Sequence, residues 1–506
     1  MSWYLALPLV TPFVTAVLAF LFRTSSLGRR ISLAGAGVGL VLSILLLVEV
    51  LRHGVIAGQM GSWAAPFGIT LVADILSAAM VVITAISGFA VAIYAAGEID
   101  GKQERLGFHA LYHLLLAGVT GAFLTGDIFN LYVWFEVMLI ASFGLLILGG
   151  TKAQIDGAVK YVTLNLVATI LFLAGVGLLY GATGTLNMAQ LHGAVAASDQ
   201  QGLMTVIAMF FMIAFGMKAA VFPLFFWLPA SYHTPSFTVS AIFAGLLTKV
   251  GVYALMRVFT LIFTGDVGYT HEVLLWVSAA TMVTGVLGAA AMMDFRKILS
   301  FHIISQIGYM TLGLAIYTPL AIAGAIFYLI HHIIVKMNLF LVSGVAHQIA
   351  GGTDLYRIGG LYKSSPALAI MFLIPAFSLA GFPPLSGFWA KLLIVQAALE
   401  AEAWVIAGIS LAVGLLTIFS MAKIWSEAFW KPHPDGTDPT LASLGGKAAL
   451  FVLPMAGLCL LTLAISVMPD PFIAASERAA GQLLDPQAYV AAVLGEPGAE
   501  MVEDAP

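Results

Sequence analysis

Apolar runs of about twenty residues, the length a helix needs to cross a bilayer's hydrocarbon core, recur along the chain between short polar joints. They lie near 3–22, 31–51, 70–95, 108–125, 128–148, 157–181, 203–224, 236–262, 273–292, 297–316, 319–348, 367–386, 403–428 and 447–468, about fourteen in number. A further apolar stretch, 388–399, reads as the second half of a helix broken at Phe382-Pro383-Pro384, since proline removes a backbone donor and clashes with the preceding turn. A matching break stands at Phe222-Pro223, five spans earlier, and FPLFFW there echoes FPPLSGFW at the later one. Paired interrupted helices at corresponding positions predict inverted repeats around a midplane site. The expected units are spans four to eight (108–262) and nine to thirteen (273–428), preceded by three spans over 1–107. A joint and last span over 429–470 follow, and then a tail over 471–506. That tail is expected to form a short surface helix and then disorder, ending in Glu500, Glu503 and Asp504, with no catalytic content.

Composition fixes the solvent. The chain is 61% hydrophobic and only 9% charged, against about 25% charged in a soluble domain, so this is expected to be an all-α polytopic membrane protein. The single cysteine, Cys459, excludes internal disulfides and cluster ligand sets. The basic residues form no face of the kind that binds nucleic acid. Arg23, Arg29 and Arg30 follow the first span rather than precede it, the reverse of a secretory signal. Lys and Arg then collect in alternate joints, with Arg52, Arg257 and Arg478 alone on the other side. The positive-inside rule therefore predicts both termini outside the cell membrane.

Four lysines remain within the apolar runs: Lys218, Lys249, Lys336 and Lys391. Intramembrane charges are costly and default to a functional reading, and lysine, unlike arginine, gives up its proton when desolvated. Glu136 is the one acidic residue of its span and must be protonated, paired or hydrated there. Lys218 is its expected partner, since each stabilises the other's charge; a static pair that only locks two helices is the competing reading. Gly245 and Gly251 flank Lys249 and are expected to loosen its helix enough for water and backbone carbonyls to reach the amine. His332 and Lys336 share one helical face, a spacing suited to proton relay, while His331 points elsewhere and reads as structural. Lys391 follows the second break as the counterpart of Lys218. Ser305, Gln306 and Tyr309 are candidates to hold water, His233 to take up protons at a joint, and Asp74, Asp294, Arg296 and Lys297 to anchor helix ends at the interface. No His, Cys and carboxylate spacing suits a metal. The expected device is a lateral line through Glu136, Lys218, Lys249, His332, Lys336 and Lys391, reached by water from both faces.

FPLFFWLPASYHTPSFTVSAIFAGLLTKVGVYALMR, DFRKILSFHIISQIGYM and GFPPLSGFWAK resemble the core motifs of the antiporter-like membrane subunits of respiratory complex I, membrane-bound hydrogenases and Mrp-type cation/proton antiporters. The likeness covers residues 70–465. It implies fourteen transmembrane helices, two inverted five-helix repeats, broken helices 7 and 12, and proton translocation along the six residues of that line. FNLYVWFEVMLIASFGLLILGG is most similar to the D-type subunit of the Mrp assembly. That resemblance implies a secondary transporter subunit rather than an enzyme. It also implies no cofactor, partners of the Mrp A, B, C, E, F and G types, and exchange of Na⁺ (sometimes K⁺ or Li⁺) for protons. A proton-pumping subunit of complex I or a hydrogenase is the alternative.

Overall fold

A computed structural model describes residues 3–436 and 439–495; Glu500, Glu503 and Asp504 lie outside the described residues. The protein is an all-α polytopic membrane protein. Twelve described helices are long and apolar enough to cross a membrane, accompanied by two shorter apolar helices. In chain order these elements are α1 (Trp3–Leu21), α2 (Ser26–His53), α3 (Ile75–Glu98), α4 (Phe108–Leu124), α5 (Ile128–Ile147), α6 (Lys152–Thr183) and α7 (Gln201–Ala219). Then come α8 (Phe237–Leu261), α9 (Val267–Ala291), α10 (Phe295–Ile316), α11 (Pro319–Ala350), α12 in two halves (Pro366–Ala380 and Ser386–Glu400), α13 (Trp404–Trp430) and α14 (Ala448–Val467). The most apolar window of α8 is wholly buried, and those of α10 and α11 nearly so, whereas α1, α2, α6, α13 and α14 turn much of their surface outward. Lys249 on α8, His302 on α10 and His332 and Lys336 on α11 therefore sit in the core.

The two predicted breaks close with the same backbone motif. After α7, Val221 N donates to Gly216 O at 3.0 Å and Ala220 N to Met217 O at 3.2 Å. After the first half of α12, Phe382 N donates to Phe377 O and Gly381 N to Ser378 O, both at 3.0 Å. This is the Schellman arrangement, whose cap residue takes a left-handed conformation: φ is 65° at Ala220 and 86° at Gly381. The surrounding elements repeat as well. α6 and α11 are both 32 residues long, each begins at a threonine N-cap (Thr151, Thr318) and each ends at a left-handed glycine (Gly184, Gly351). Asp127 caps α5 and bridges to Asn187, just as Asp294 caps α10 and bridges to Asp354.

Two expectations change. The run near 70–95 is not helical throughout: Thr70–Ala73 is a β-strand, β2, paired antiparallel with β1 (Ile56–Gln59). Asp74 starts α3 only afterwards, through a reciprocal capping box with Ser77, which satisfies helix donors that have no intrahelical partner. The tail is also more than a surface helix. α15 (Asp470–Leu484) buries Ser476, Ala479, Ala480 and Leu483, and Gln482 accepts a hydrogen bond from Ile75 N at 3.0 Å. A last helix, α16 (Gln487–Leu494), buries Tyr489.

One close approach positions the site. A Cβ at Gly251 on α8 would come within 2.6 Å of Ala219 N and 2.9 Å of the Lys218 carbonyl carbon. Only glycine lets α8 cross α7 this tightly beside Lys218. Because the opposing atoms are backbone, Gly251→Ala is expected to cost about 1–3 kcal/mol, the usual penalty of overpacking. A lowered unfolding midpoint of the purified assembly would register it.

Candidate functional site

Lys218 occupies the last turn of α7, where a cation faces the negative end of the helix dipole. Its Nζ donates to Asn165 O at 3.3 Å and to Thr169 Oγ1 at 3.2 Å, both on α6, and lies 5.6 Å from the Phe135 ring centroid. Thr169 Oγ1 in turn donates to Glu136 Oε1 at 2.7 Å. Glu136 and Lys218 are thus brought together through a hydroxyl rather than in direct contact, because α6 packs against both α5 and α7 and presents Thr169 between them. A cavity of about 20 Å³, lined in part by Tyr161, Asn165, Lys218 and Trp227, lies beside the amine. That is room for about one water.

Lys249 is fully buried, two residues beyond a π-helical turn at Phe243–Leu247 that includes Gly245. A π-turn disrupts the regular helical hydrogen-bond ladder and is common at functional sites; here Lys249 Nζ donates back to Ala244 O. The helix is therefore opened by the wide turn around Gly245, while Gly251 serves the α7 crossing. α13 carries a second π-turn, at its C-terminal end, Trp425–Trp430.

His332 and Lys336 are fully buried on α11. Neither His332 ring nitrogen nor Lys336 Nζ has a protein hydrogen-bond partner, and the same holds for both ring nitrogens of His302, Gln306 Nε2 and Thr248 Oγ1. A buried polar atom left unpaired costs about 1–3 kcal/mol, so this group of atoms marks the part of the interior best suited to water. The sequence reading missed His302. Its signal was its place one turn before Gln306 on α10, since i,i+4 residues share a face.

Aromatic and hydroxyl groups lead on towards α12. Tyr328 donates to Gln306 Oε1 and stacks on Tyr309 at 5.3 Å, and Tyr309 donates to Ser410 O. Lys391 Nζ stands 5.3 Å from the Tyr309 ring centroid and donates to Ala380 O at 2.9 Å, the end of the first half of α12. Lys218 thus stands in the last turn of its own helix, and the Lys391 amine meets the last turn of the preceding half-helix. A cavity of about 460 Å³, bordered by Tyr309, Lys391, Leu411 and Leu415, opens next to Lys391. His331 points instead to Ser386 Oγ, 2.8 Å away, which in turn contacts Ser378 Oγ at 2.8 Å, so it ties α11 to the second break.

Two of the expected interfacial anchors, Arg296 and Asp74, are buried within the protein. Arg296 is buried against Phe237, with its guanidinium 4.1 Å from the ring centroid, and donates to Pro235 O at 2.6 Å. Asp74 and Arg257 form a buried ion pair at 2.6 Å, with side chains 2% and 4% exposed. Arg257 stands near the end of α8, and Asp74 gives it a buried counter-charge. Glu98, unnoticed in the sequence, accepts from Phe237 N at 2.8 Å and Thr238 N at 2.7 Å, capping α8. His233 lies in the joint before α8, with its Nδ1 2.9 Å from Pro229 O.

Lysines on α7, α8, α11 and α12, histidines on α10 and α11, a carboxylate on α5 and two helices interrupted at proline together mark the interior of a polytopic membrane subunit. The family described as NADH:quinone oxidoreductase/Mrp antiporter, transmembrane, matches residues 125–417. The D-type subunit of the Na⁺/H⁺ antiporter of Alkalihalophilus pseudofirmus is 48% identical over 97% of this chain and 99% of its own, and that of Bacillus subtilis 42% identical over 98% and 100%. Among solved structures, a chain of the Mrp complex of a Dietzia species superposes with a TM-score of 0.88 at 36% identity, covering 97% of this chain and 98% of that one. A chain of respiratory complex I from Thermus thermophilus gives 0.81 at 25% identity, covering 95% and 99%. The chain belongs to the NADH:quinone oxidoreductase/Mrp antiporter family of membrane subunits.

Proposed function

We propose that this chain is the proton-translocating subunit of a multisubunit Na⁺/H⁺ antiporter. Protons move along Glu136, Lys218, Lys249, His332, Lys336 and Lys391. The observation that carries the reading is the hydrogen-bonded link from Glu136 through Thr169 to Lys218, set beside the buried, unpartnered groups around Lys336. A lysine held by a neutral hydroxyl and a carbonyl keeps a modest hold on its proton and gains a stronger one when the carboxylate approaches. Opening and closing that contact therefore loads and unloads the amine. The 48% identity to a D-type antiporter subunit over almost the whole length supports antiport over redox-driven pumping. It also supports a transporter subunit rather than an enzyme, partnered by subunits of the Mrp A, B, C, E, F and G types. The alternating basic joints support fourteen crossings of the plasma membrane, inverted repeats over 108–262 and 273–428, and both termini and the tail outside.

The test is exchange by the isolated assembly in sealed vesicles carrying a pH-sensitive dye. Na⁺ addition is expected to reverse an imposed acid interior without any electron donor. Copurifying flavin or iron–sulfur subunits, with proton movement only during electron transfer, would replace this reading with the redox-coupled one.

A further inference from the structure

Several threonines in the other apolar helices return their hydroxyl proton to their own helix, among them Thr84 to Met80 O at 2.7 Å, Thr417 to Val413 O at 2.8 Å and Thr462 to Leu458 O at 2.9 Å. That is the ordinary fate of a helical threonine in an apolar setting. Thr169 departs from it. Its hydroxyl points across to Glu136 Oε1 at 2.7 Å, and its oxygen receives Lys218 Nζ at 3.2 Å. A hydroxyl has one proton to give and lone pairs to accept, and here both capacities are spent on the two charged members of the line.

A second, independent observation comes from the repeat. Asn165 and Thr169 stand as far from the N-cap Thr151 as His332 and Lys336 stand from the N-cap Thr318, on helices of equal length. The α6 pair thus occupies the register that the second repeat gives to its His–Lys pair. In α6 that register holds Lys218 at both positions, through Asn165 O and Thr169 Oγ1.

We propose that Thr169 is the positioning and relay residue of the Glu136–Lys218 switch, passing a proton between amine and carboxylate through its oxygen; this rests on the function proposed above. In the forward step an Nζ–H bond of Lys218 breaks as Thr169 Oγ1 takes that proton, and the original Oγ1–H bond breaks as its proton passes to Glu136 Oε1. The amine and the acid end neutral and the threonine is regenerated. The same hydroxyl keeps the two charges from collapsing into a direct pair that would hold the proton on Lys218. The titratable groups around it are Glu136 on α5 and Lys218 on α7, with Tyr132 and Tyr161 in electrostatic reach of Glu136.

The test compares Thr169→Val, Thr169→Ala and Thr169→Ser in the whole assembly, reconstituted in vesicles at matched amounts, with Lys218→Arg alongside. Valine keeps the shape and loses the hydroxyl; alanine serves where valine lowers assembly; serine restores the relay oxygen. Exchange is expected to fall at least about a hundredfold in the hydroxyl-free variants, the low side of what a positioned proton-transfer group contributes, and to stay within about twofold of wild type in Thr169→Ser. Wild-type exchange in Thr169→Val or Thr169→Ala overturns the proposal, as does a Thr169→Ser variant as inactive as valine, which would mark a packing role. If Lys218→Arg also exchanges normally, the proton path itself is at fault; if Lys218→Arg is inactive while the hydroxyl-free variants are active, only the role of Thr169 falls.

Discussion

Lys218→Arg is expected to abolish ion exchange while leaving the assembly intact, and Glu136→Gln to do the same. Arginine preserves the positive charge at the end of α7 and the donors that meet Asn165 O and Thr169 Oγ1, so the static helix contact survives. What it removes is the ability to release a proton, since the guanidinium stays charged in proteins. Lys218→Ala or Glu136→Ala would also stop exchange, but removing one partner from a buried charged cluster costs about 3–5 kcal/mol, so the loss would mix function with stability. The arginine variant separates the two. With dye-quench antiport in vesicles at matched assembly, exchange should drop at least about a hundredfold, the scale of losing an essential proton-transfer group. An arginine variant that still exchanges would assign this contact to helix packing and move the titrating role elsewhere on the line.

Much of this arrangement was legible in the sequence because its signals are local. An apolar run long enough to cross a bilayer is a strong pattern, and Phe222-Pro223 and Phe382-Pro383-Pro384 announced the ends of α7 and of the first half of α12. Lysines in hydrocarbon-length runs are conspicuous for their cost. Thr169 carried no such mark, since a threonine in a spanning helix ordinarily bonds its own backbone and only the tertiary arrangement shows that this one does not. His302 was hidden in the same way, its importance set by the α10 face packed on α11. The Thr70–Ala73 strand was unreadable for a different reason: a short apolar run fits helix and strand equally, and the pairing that decides it lies across a loop. The pairing of Arg257 was hidden because its counter-charge, Asp74, lies far back in the chain and one flanking ring, Tyr489, far ahead.

That ion pair gives the second large effect. Asp74 does two things with its two oxygens: Oδ1 accepts from Ser77 N at 2.8 Å, capping α3, and Oδ2 accepts from Arg257 Nη2 at 2.6 Å. The guanidinium lies between two aromatic rings, 5.4 Å from the Tyr253 centroid and 5.2 Å from that of Tyr489 on α16. Tyr253 also donates to Phe123 O on α4 at 2.8 Å. One buried contact thus ties α3, α4, α8 and the C-terminal helix together. Asp74→Ala strands the guanidinium in the core without a counter-charge, at about 3–5 kcal/mol, and removes the cap, at about 1 kcal/mol more. Asp74→Asn with Arg257→Met should cost far less than Asp74→Ala, because asparagine keeps the capping oxygen, methionine keeps apolar bulk between the rings and no charge is left unpaired. The purified assembly should therefore melt lowest as Asp74→Ala and recover in the double variant. Limited proteolysis should cut near Gln487–Leu494 first in the single variant, since Arg257, left without its counter-charge, is no longer fixed against Tyr489 of α16. Equal melting of Asp74→Ala and wild type would show that the tail is held by its apolar contacts alone.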